Sequence, residues 1–268
     1  MNNETRRNII ALFGRSKTGK NTVGDMIAAS RKGVVQIAFA DKLKQICMEL
    51  FGLTSQDLNT EEGKARATGL PCPTCPMCKS INTTLASTTI AFASFYDQPV
   101  YNHKGARQVE CKDCGAVGSP DSFVGFWTPR MILQHVGTEG IRRVDPRAWA
   151  RFTMQTAVTA LDKGVDVVSS TSPDQKAGDR FRPNLIVVTD GRFQSELAAV
   201  RAAGGIAWRL RRPETDNVAT GIAGHVSESE IDGIPDSDFD EIITNDGSLD
   251  DLLRAVRAAL APAPLRAA

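Results

Sequence analysis

Apolar residues in this chain fall into short runs separated by amphipathic segments, a rhythm that predicts alternating strands and helices. "RNIIALFG" (7–14) reads as a short strand. "KNTVGDMIAAS" (20–30) sets Val23, Met26 and Ile27 on one helical face. "GVVQIAFA" (33–40) predicts a second buried strand. "DKLKQICMELFG" (41–52) predicts a helix with Asp41 as its N-cap, an apolar face of Leu43, Ile46, Cys47 and Leu50, and a stop at Gly52. Helical periodicity then lapses at Pro71 and returns only with "TPRMILQHVGTEGIRR" (128–143). "DPRAWARFTMQTAVTALDKG" (145–164) predicts a long amphipathic helix with Pro146 in its first turn. "VDVVSS" is a candidate strand and "TSPDQKAGDRFRP" (171–183) a polar loop. "NLIVVTD" (184–190) lacks polar alternation, the pattern of a strand covered on both faces. "QSELAAVRAAGG" (194–205), "IAWRLRR" (206–212) and "SLDDLLRAVRAALA" (248–261) read as helix, strand and closing helix.

These elements imply an α/β fold, a parallel sheet flanked by helices, interrupted by an insertion over 71–126. The core is then 1–70 with 127–268, and the Gly-rich polar segment 213–233 suits a mobile lid.

Composition narrows the options. With 41% hydrophobic and 24% charged residues over 268 positions, the chain has the make-up of a soluble globule. Lys plus Arg (32) nearly balance Asp plus Glu (31), so a net charge of +1 provides no global field for nucleic acid or an anionic membrane. No run approaches the roughly 18 apolar residues that cross a bilayer. The N-terminus lacks the apolar core of a signal peptide. The expectation is a cytoplasmic protein whose anion sites are local.

One such site is written between the first strand and helix. "GRSKTGKNT" places Gly14, Arg15, Ser16, Lys17, Thr18, Gly19 and Lys20 in the order of a phosphate-cradling loop, G-x-x-x-x-G-K-[ST]. Glycines let successive backbone N–H groups turn inward, Lys20 reaches the phosphates, and the helix beginning there presents its positive end. The departure is Asn21, which stands where a hydroxyl should bind Mg²⁺, with Thr22 one place late. Thr22 or a water held by Asn21 could take that duty. A plain strand-to-helix turn is the competing reading. Such a loop needs a second acid, and "LIVVTD" delivers Asp190 at a strand end, with Arg192 two residues on. A helix cap or turn is the blander use of Asp190. Arg130, Arg142, Arg143, Arg192, Arg211 and Arg212 are candidate clamps for phosphoryl oxygens.

The five blocks "GRSKTGKNT", "FADKLKQICMELFGL", "TPRMILQHVGTEGIRRVDPRAWA", "VVTDGRFQSELAAVRAAGG" and "RRPETDNVATGIAGHVSESEID" resemble the bacteriophage-type deoxynucleoside monophosphate kinases, relatives of phosphomevalonate kinase. The likeness covers nearly the whole chain apart from the Cys-rich insertion and the 171–183 loop. It implies an adenylate-kinase-like P-loop fold that transfers the ATP γ-phosphate to a dNMP, with Mg²⁺. By resemblance, Gly14 to Thr22 hold the ATP phosphates, and Arg211 and Arg212 with His225, Ser227 and Glu228 belong to the lid. Asp41, Arg130, Gln134, Gly137, Thr138, Arg142 and Trp149 line the acceptor. Lys20, Asp190, Arg192 and Arg142 carry the catalysis. A phosphorylated acceptor oxygen is already nucleophilic, so no general base is required. Another small phosphate, such as phosphomevalonate, is the alternative acceptor. The oligomeric state stays open, a homodimer included.

Five of six cysteines crowd into residues 72–114: Cys72, Cys75, Cys78, Cys111 and Cys114. Two C-x-x-C pairs supplying four thiolates are the ligand set of a structural zinc site. Cys75, Cys78, Cys111 and Cys114 are preferred, although which four of the five remains open. A disulfide or redox pair is the competing use, and Cys47, on an apolar helix face, reads as core. The zinc reading also raises a rival function, a zinc-ribbon ATPase that binds nucleic acid, against which the near-neutral charge argues.

Overall fold

The computed structural model describes residues 8–78, 83–85, 109–118, 122, 124–166, 180–213 and 226–261. The chain divides into two compact units, Lys44–Gly140 and the remainder, from which the main sheet is built.

That sheet has five parallel strands: β1 (Ile9–Phe13), β2 (Val34–Ile37), β10 (Leu185–Gly191), β11 (Ile206–Arg211) and β12 (Glu241–Thr244), the numbers β3 to β9 belonging to shorter strands described below. The order across it is β12-β11-β1-β10-β2. The chain leaving β1 crosses the position of β10 to reach the edge, whereas β11 lands on the opposite side of β1. Strand order therefore reverses around β1, and in an open α/β sheet ligands bind outside the carboxyl ends of the strands at such a point.

Alternate residues of β1 serve the two faces, as a two-residue period demands. Ile9, Ala11 and Phe13 join Ile186, Val188, Leu197, Val200 and Met154 in one core cluster. Ile10 and Leu12 join Val187, Trp208 and Leu210 in the other, where Val23 and Ile27 of helix α1 (Lys20–Ser30) meet Leu252 and Val256 of the closing helix α9 (Leu249–Leu260). Among the helices between these two are α2 (Asp41–Phe51), α6 (Ala148–Lys163), α7 (Gln194–Ala202) and α8 (Val226–Gly233). β10 is buried from Leu185 to Val188, as its unbroken apolar run requires.

Two local expectations change. β2 is only partly buried, because the sheet order leaves it an edge strand paired with β10 alone. Asp41 is not an N-cap: it lies within the first turn of α2, and its carboxylate accepts the Ala38 N–H at 2.7 Å. The strand β12 and the helix α8 have no counterpart in the hydrophobic pattern.

The Lys44–Gly140 unit is built differently. Short helices α3 (Ser55–Asn59) and α4 (Glu61–Ala65) follow α2, and α3 opens with a capping box between Thr54 and Asp57. Arg66 donates to Asp57 at 2.7 Å and, with the Thr54 N–H, holds that carboxyl far below its ordinary range. β3 (Pro71–Pro73) pairs antiparallel with β7 (Val124–Phe126), while β4 (Thr83–Leu85), β5 (Val109–Cys111) and β6 (Val117–Gly118) form a small antiparallel sheet. Helix α5 (Pro129–Gln134) runs into a π-helical stretch, His135–Arg142. In the other unit β8 (Val165–Asp166) pairs with β9 (Arg180–Phe181). Residues 214–225 of the expected lid, His225 among them, lie outside the described residues. So do 167–179, which hold most of the polar loop, and 86–108 of the insertion.

Candidate active site

The Gly-rich loop leaves the carboxyl end of β1, the strand at which the order reverses. Gly14 N–H donates to Gly191 O at 3.2 Å, which ties the loop entrance to the end of β10. A Cβ on Gly14 would lie 2.6 Å from Leu210 O, so the loop passes β11 too closely for any side chain. Gly19 has φ +99°, a conformation that favours glycine, and Lys17 also sits in the left-handed region at φ +63°. Thr18 is buried and its hydroxyl donates to Arg15 O at 3.0 Å. Lys20, 7% exposed, curls back over the loop and donates to Gly14 O at 2.7 Å and Arg15 O at 2.6 Å. Its ammonium is thus held inside the turn. Asn21 is exposed and Thr22 half-buried on the first turn of α1.

Asp190 is the next-to-last residue of β10, whose final residue Gly191 is bonded to the start of this loop. Its two oxygens accept the N–H groups of Phe39 (2.6 Å) and Ala40 (3.0 Å), just ahead of α2. The carboxylate therefore fixes the start of the Phe39-Ala40-Asp41 block, and Lys20 and Asp190 stand at the same end of adjacent strands.

Arg142, Phe193 and Glu196 form a network that periodicity did not reveal. Glu196 is fully buried. It forms an ion pair with the Arg142 guanidinium and accepts the N–H groups of Arg192 (2.8 Å) and Phe193 (3.1 Å). The Arg142 guanidinium stacks 3.6 Å from the Phe193 ring centroid. The glutamate three residues into α7 accepts the Phe193 N–H as a capping glutamate does, but nothing local in the sequence pointed to its arginine. Burial pushes the Glu196 carboxyl from 4.5 up to about 7, against the pull of Arg142. The folded state then retains a proton that the unfolded chain releases between about pH 4.5 and pH 7. Stability from this group is fully present below that window and is lost as pH rises through it. Glu196→Gln, which does not titrate, is expected to flatten this part of the profile. Chemical denaturation at pH 5 and pH 7.5 checks it, and an unchanged slope would contradict the assignment.

A cavity of about 200 Å³ adjoins the loop, with Arg15, Arg209, Arg211 and Asp232 among its walls. Arg15 is paired with Asp232, its Nε at 2.8 Å, and Arg211 donates to Asp236 at 2.7 Å. Arg209 was not singled out by the sequence, being one basic residue in a strand. It is buried, donates to Ile231 O and Ile234 O, and reaches Asp236 at 3.0 Å. Arg212 is half-buried at the end of this segment.

The remaining candidates divide between the units. Trp149 is buried in α6 of the sheet-bearing unit. Arg130, Gln134, Gly137 and Thr138 belong to the Lys44–Gly140 unit, where Arg130 donates to Glu61 at 2.7 Å. His135 pairs with Glu139 and meets the edge of Trp127.

In that unit the sulfurs of Cys75, Cys78, Cys111 and Cys114 all lie within 4.8 Å of one another. Cys75 and Cys114 are 3.6 Å apart, Cys78 and Cys111 3.5 Å. Zinc–sulfur bonds of about 2.3 Å on a tetrahedron need edges of roughly 3.8 Å, so the cluster fits such an ion with small adjustment. Gly115, at φ +72°, turns the second knuckle, and Cys111 N–H donates to Ala116 O. Burial opposes ionisation of Cys75, but N–H groups of Cys78 and Met77 and neighbouring thiols hold it down at about 7. Cys114 accepts the Ala116 N–H, yet the surrounding thiols and burial push it up to about 12. Cys72 stands outside the cluster, its sulfur 3.1 Å from Thr74 Oγ1. Cys47 is buried, and its thiol is raised to about 11 by burial. Among the described residues no helix is long and apolar enough to cross a membrane.

Comparison with known proteins identifies the family. A family model described as deoxynucleotide monophosphate kinase matches residues 8–256. The chain is also similar to the deoxynucleotide monophosphate kinase of Enterobacteria phage T4, 22% identical over 272 aligned positions that cover 94% of this chain and 98% of that one.

Proposed function

We propose, on the premise that the chain belongs to the deoxynucleotide monophosphate kinase family, that it transfers the γ-phosphoryl group of ATP to a deoxynucleoside monophosphate, releasing a deoxynucleoside diphosphate and ADP. The observation that carries this reading is the glycine loop at the end of β1, with the Lys20 ammonium held inside it. In the reaction an acceptor phosphate oxygen bonds to the γ-phosphorus as the bond to the β–γ bridging oxygen breaks, and ADP leaves with the electron pair. Catalysis is then positioning and charge neutralisation.

Residues Gly14 to Thr22 wrap the ATP phosphates in this reading, with Arg211 and Arg212 beside them. Lys20 exchanges its two loop carbonyls for phosphate oxygens. Asp41, Arg130, Gln134, Gly137, Thr138, Arg142 and Trp149 take the acceptor role by resemblance, and Arg192 serves the transferring group. Mg²⁺, which neutralises the β and γ phosphates, would be held through Asn21, Thr22 and Asp190, an oxygen donor set that suits a hard cation. Asp190 meanwhile keeps the Phe39–Ala40 backbone in place. A structural Zn²⁺ would be held by Cys75, Cys78, Cys111 and Cys114, closing the insertion at 71–126 with no open ligand position and so no catalytic duty.

Coupled ADP release measured for each dNMP, with the product separated by chromatography, tests the proposal. A dNDP from at least one dNMP is expected. ATP turnover stimulated only by DNA, or transfer only to a non-nucleotide phosphate, would replace it with one of the rival functions.

A further inference from the structure

We infer that Asn245 is a positioning residue for the phosphate loop, acting on ATP through the Thr18–Gly19 peptide; this deepens the kinase reading and rests on it. Asn245 follows β12 directly, and its Nδ2 donates to Thr18 O at 3.0 Å across 227 residues of sequence. A trans peptide is rigid and holds its C=O and N–H in opposite directions. Drawing the Thr18 carbonyl toward β12 therefore turns the Gly19 N–H away from it. Gly19 immediately precedes Lys20, so this peptide is where the loop becomes helix α1 and where an anion meets the helix end.

A second observation shows that the two positions are fitted to each other. A Cβ on Gly19 would lie 2.7 Å from the Asn245 amide nitrogen, so the amide occupies the space that any side chain at 19 would need. Asn245 itself is anchored from both sides. Its own N–H donates to Arg211 O at 2.7 Å, extending the β11–β12 ladder. Three residues on, Ser248 caps α9 through a reciprocal box with Asp251, and α9 packs through Leu252 and Val256 against Val23 and Ile27 of α1. A short rigid loop thus holds the amide while its helix braces the one that Lys20 begins. Positioning groups are effective when their own supports are locked in this way.

Asn245→Leu tests the inference, since Leu keeps the branched shape of Asn but has neither the amide donor nor its acceptor. The dissociation constant for MgATP, measured by calorimetric titration, is expected to rise about tenfold, the scale of one lost hydrogen bond to a loop that must be ordered. The KM for the dNMP should stay within about twofold, because the change is confined to the ATP loop. The melting temperature should fall by only about 2–4 °C. Should the Leu variant not fold, Asn245→Ser, too short to reach Thr18 O, carries the same expectation. Unchanged MgATP affinity would overturn the inference, and so would equal losses for ATP and dNMP accompanied by a large fall in melting temperature. Absence of transfer by the wild-type protein would defeat the kinase reading instead, while the MgATP titration would still judge Asn245.

Discussion

Replacing Lys20 with Ala is expected to lower kcat for phosphoryl transfer by at least about 10³-fold, the scale on which single preorganised charges act at transferring groups. The side chain is buried and its ammonium already sits within the loop, donating to Gly14 O and Arg15 O. Those carbonyls line the loop entrance, so the charge is in position before a phosphate arrives and little reorganisation remains to be done. Ala removes the charge while leaving two backbone carbonyls that water can reach, and the fold should persist. Lys20→Arg is expected to restore little, because a planar guanidinium does not fit where a compact ammonium bonds two carbonyls at 2.6 and 2.7 Å. The coupled assay, with thermal unfolding of each variant, provides the measurement. A folded Lys20→Ala protein with activity within tenfold of wild type would remove the loop from the reaction.

The second large effect concerns the cysteines. Purified protein is expected to contain one zinc per chain, and Cys111→Ser to lose it, whereas Cys72→Ser retains it. Cys111 is wholly buried and shares its cluster with three other sulfurs; Cys72 is engaged with Thr74 outside that cluster. Because structural zinc in small sites contributes on the order of 10 kcal/mol to folding, the Cys111 variant should also become sensitive to limited proteolysis within 71–126. Metal analysis of the two variants side by side makes the test. Equal zinc contents, or none in the wild type, would reject the four-cysteine assignment.

Much of this arrangement could be read along the chain. The apolar run before Gly14, the glycines at 14 and 19 and the periodicity after Lys20 are local patterns, and the helix begins at Lys20 as they require. β10 and α6 were legible for related reasons: the first is an unbroken apolar run, the second a long uninterrupted helical period. β12 was not, since four residues, only Ile243 of them buried, give little alternation to detect. Glu196 and Arg209 were missed because a charged residue within an apolar segment looks solvent-facing until its partner, far away in sequence, is known. Asp190 shows the intermediate case. Its place at a strand end was evident, but its two bonds to Phe39 and Ala40 span about 150 residues.

By itself the amino-acid order determined the strand–loop–helix unit, the presence of enough thiols for a metal and the absence of any strong global charge. These depend on residue identity and on spacing within a few turns of chain. Only the tertiary structure decided that Cys72 stands apart, that β2 lies at an edge, that Arg142 meets a buried Glu196 and that Asn245 grips the phosphate loop. Each of those depends on contacts closed over dozens to hundreds of residues, and no local period encodes which distant surfaces the fold will bring together.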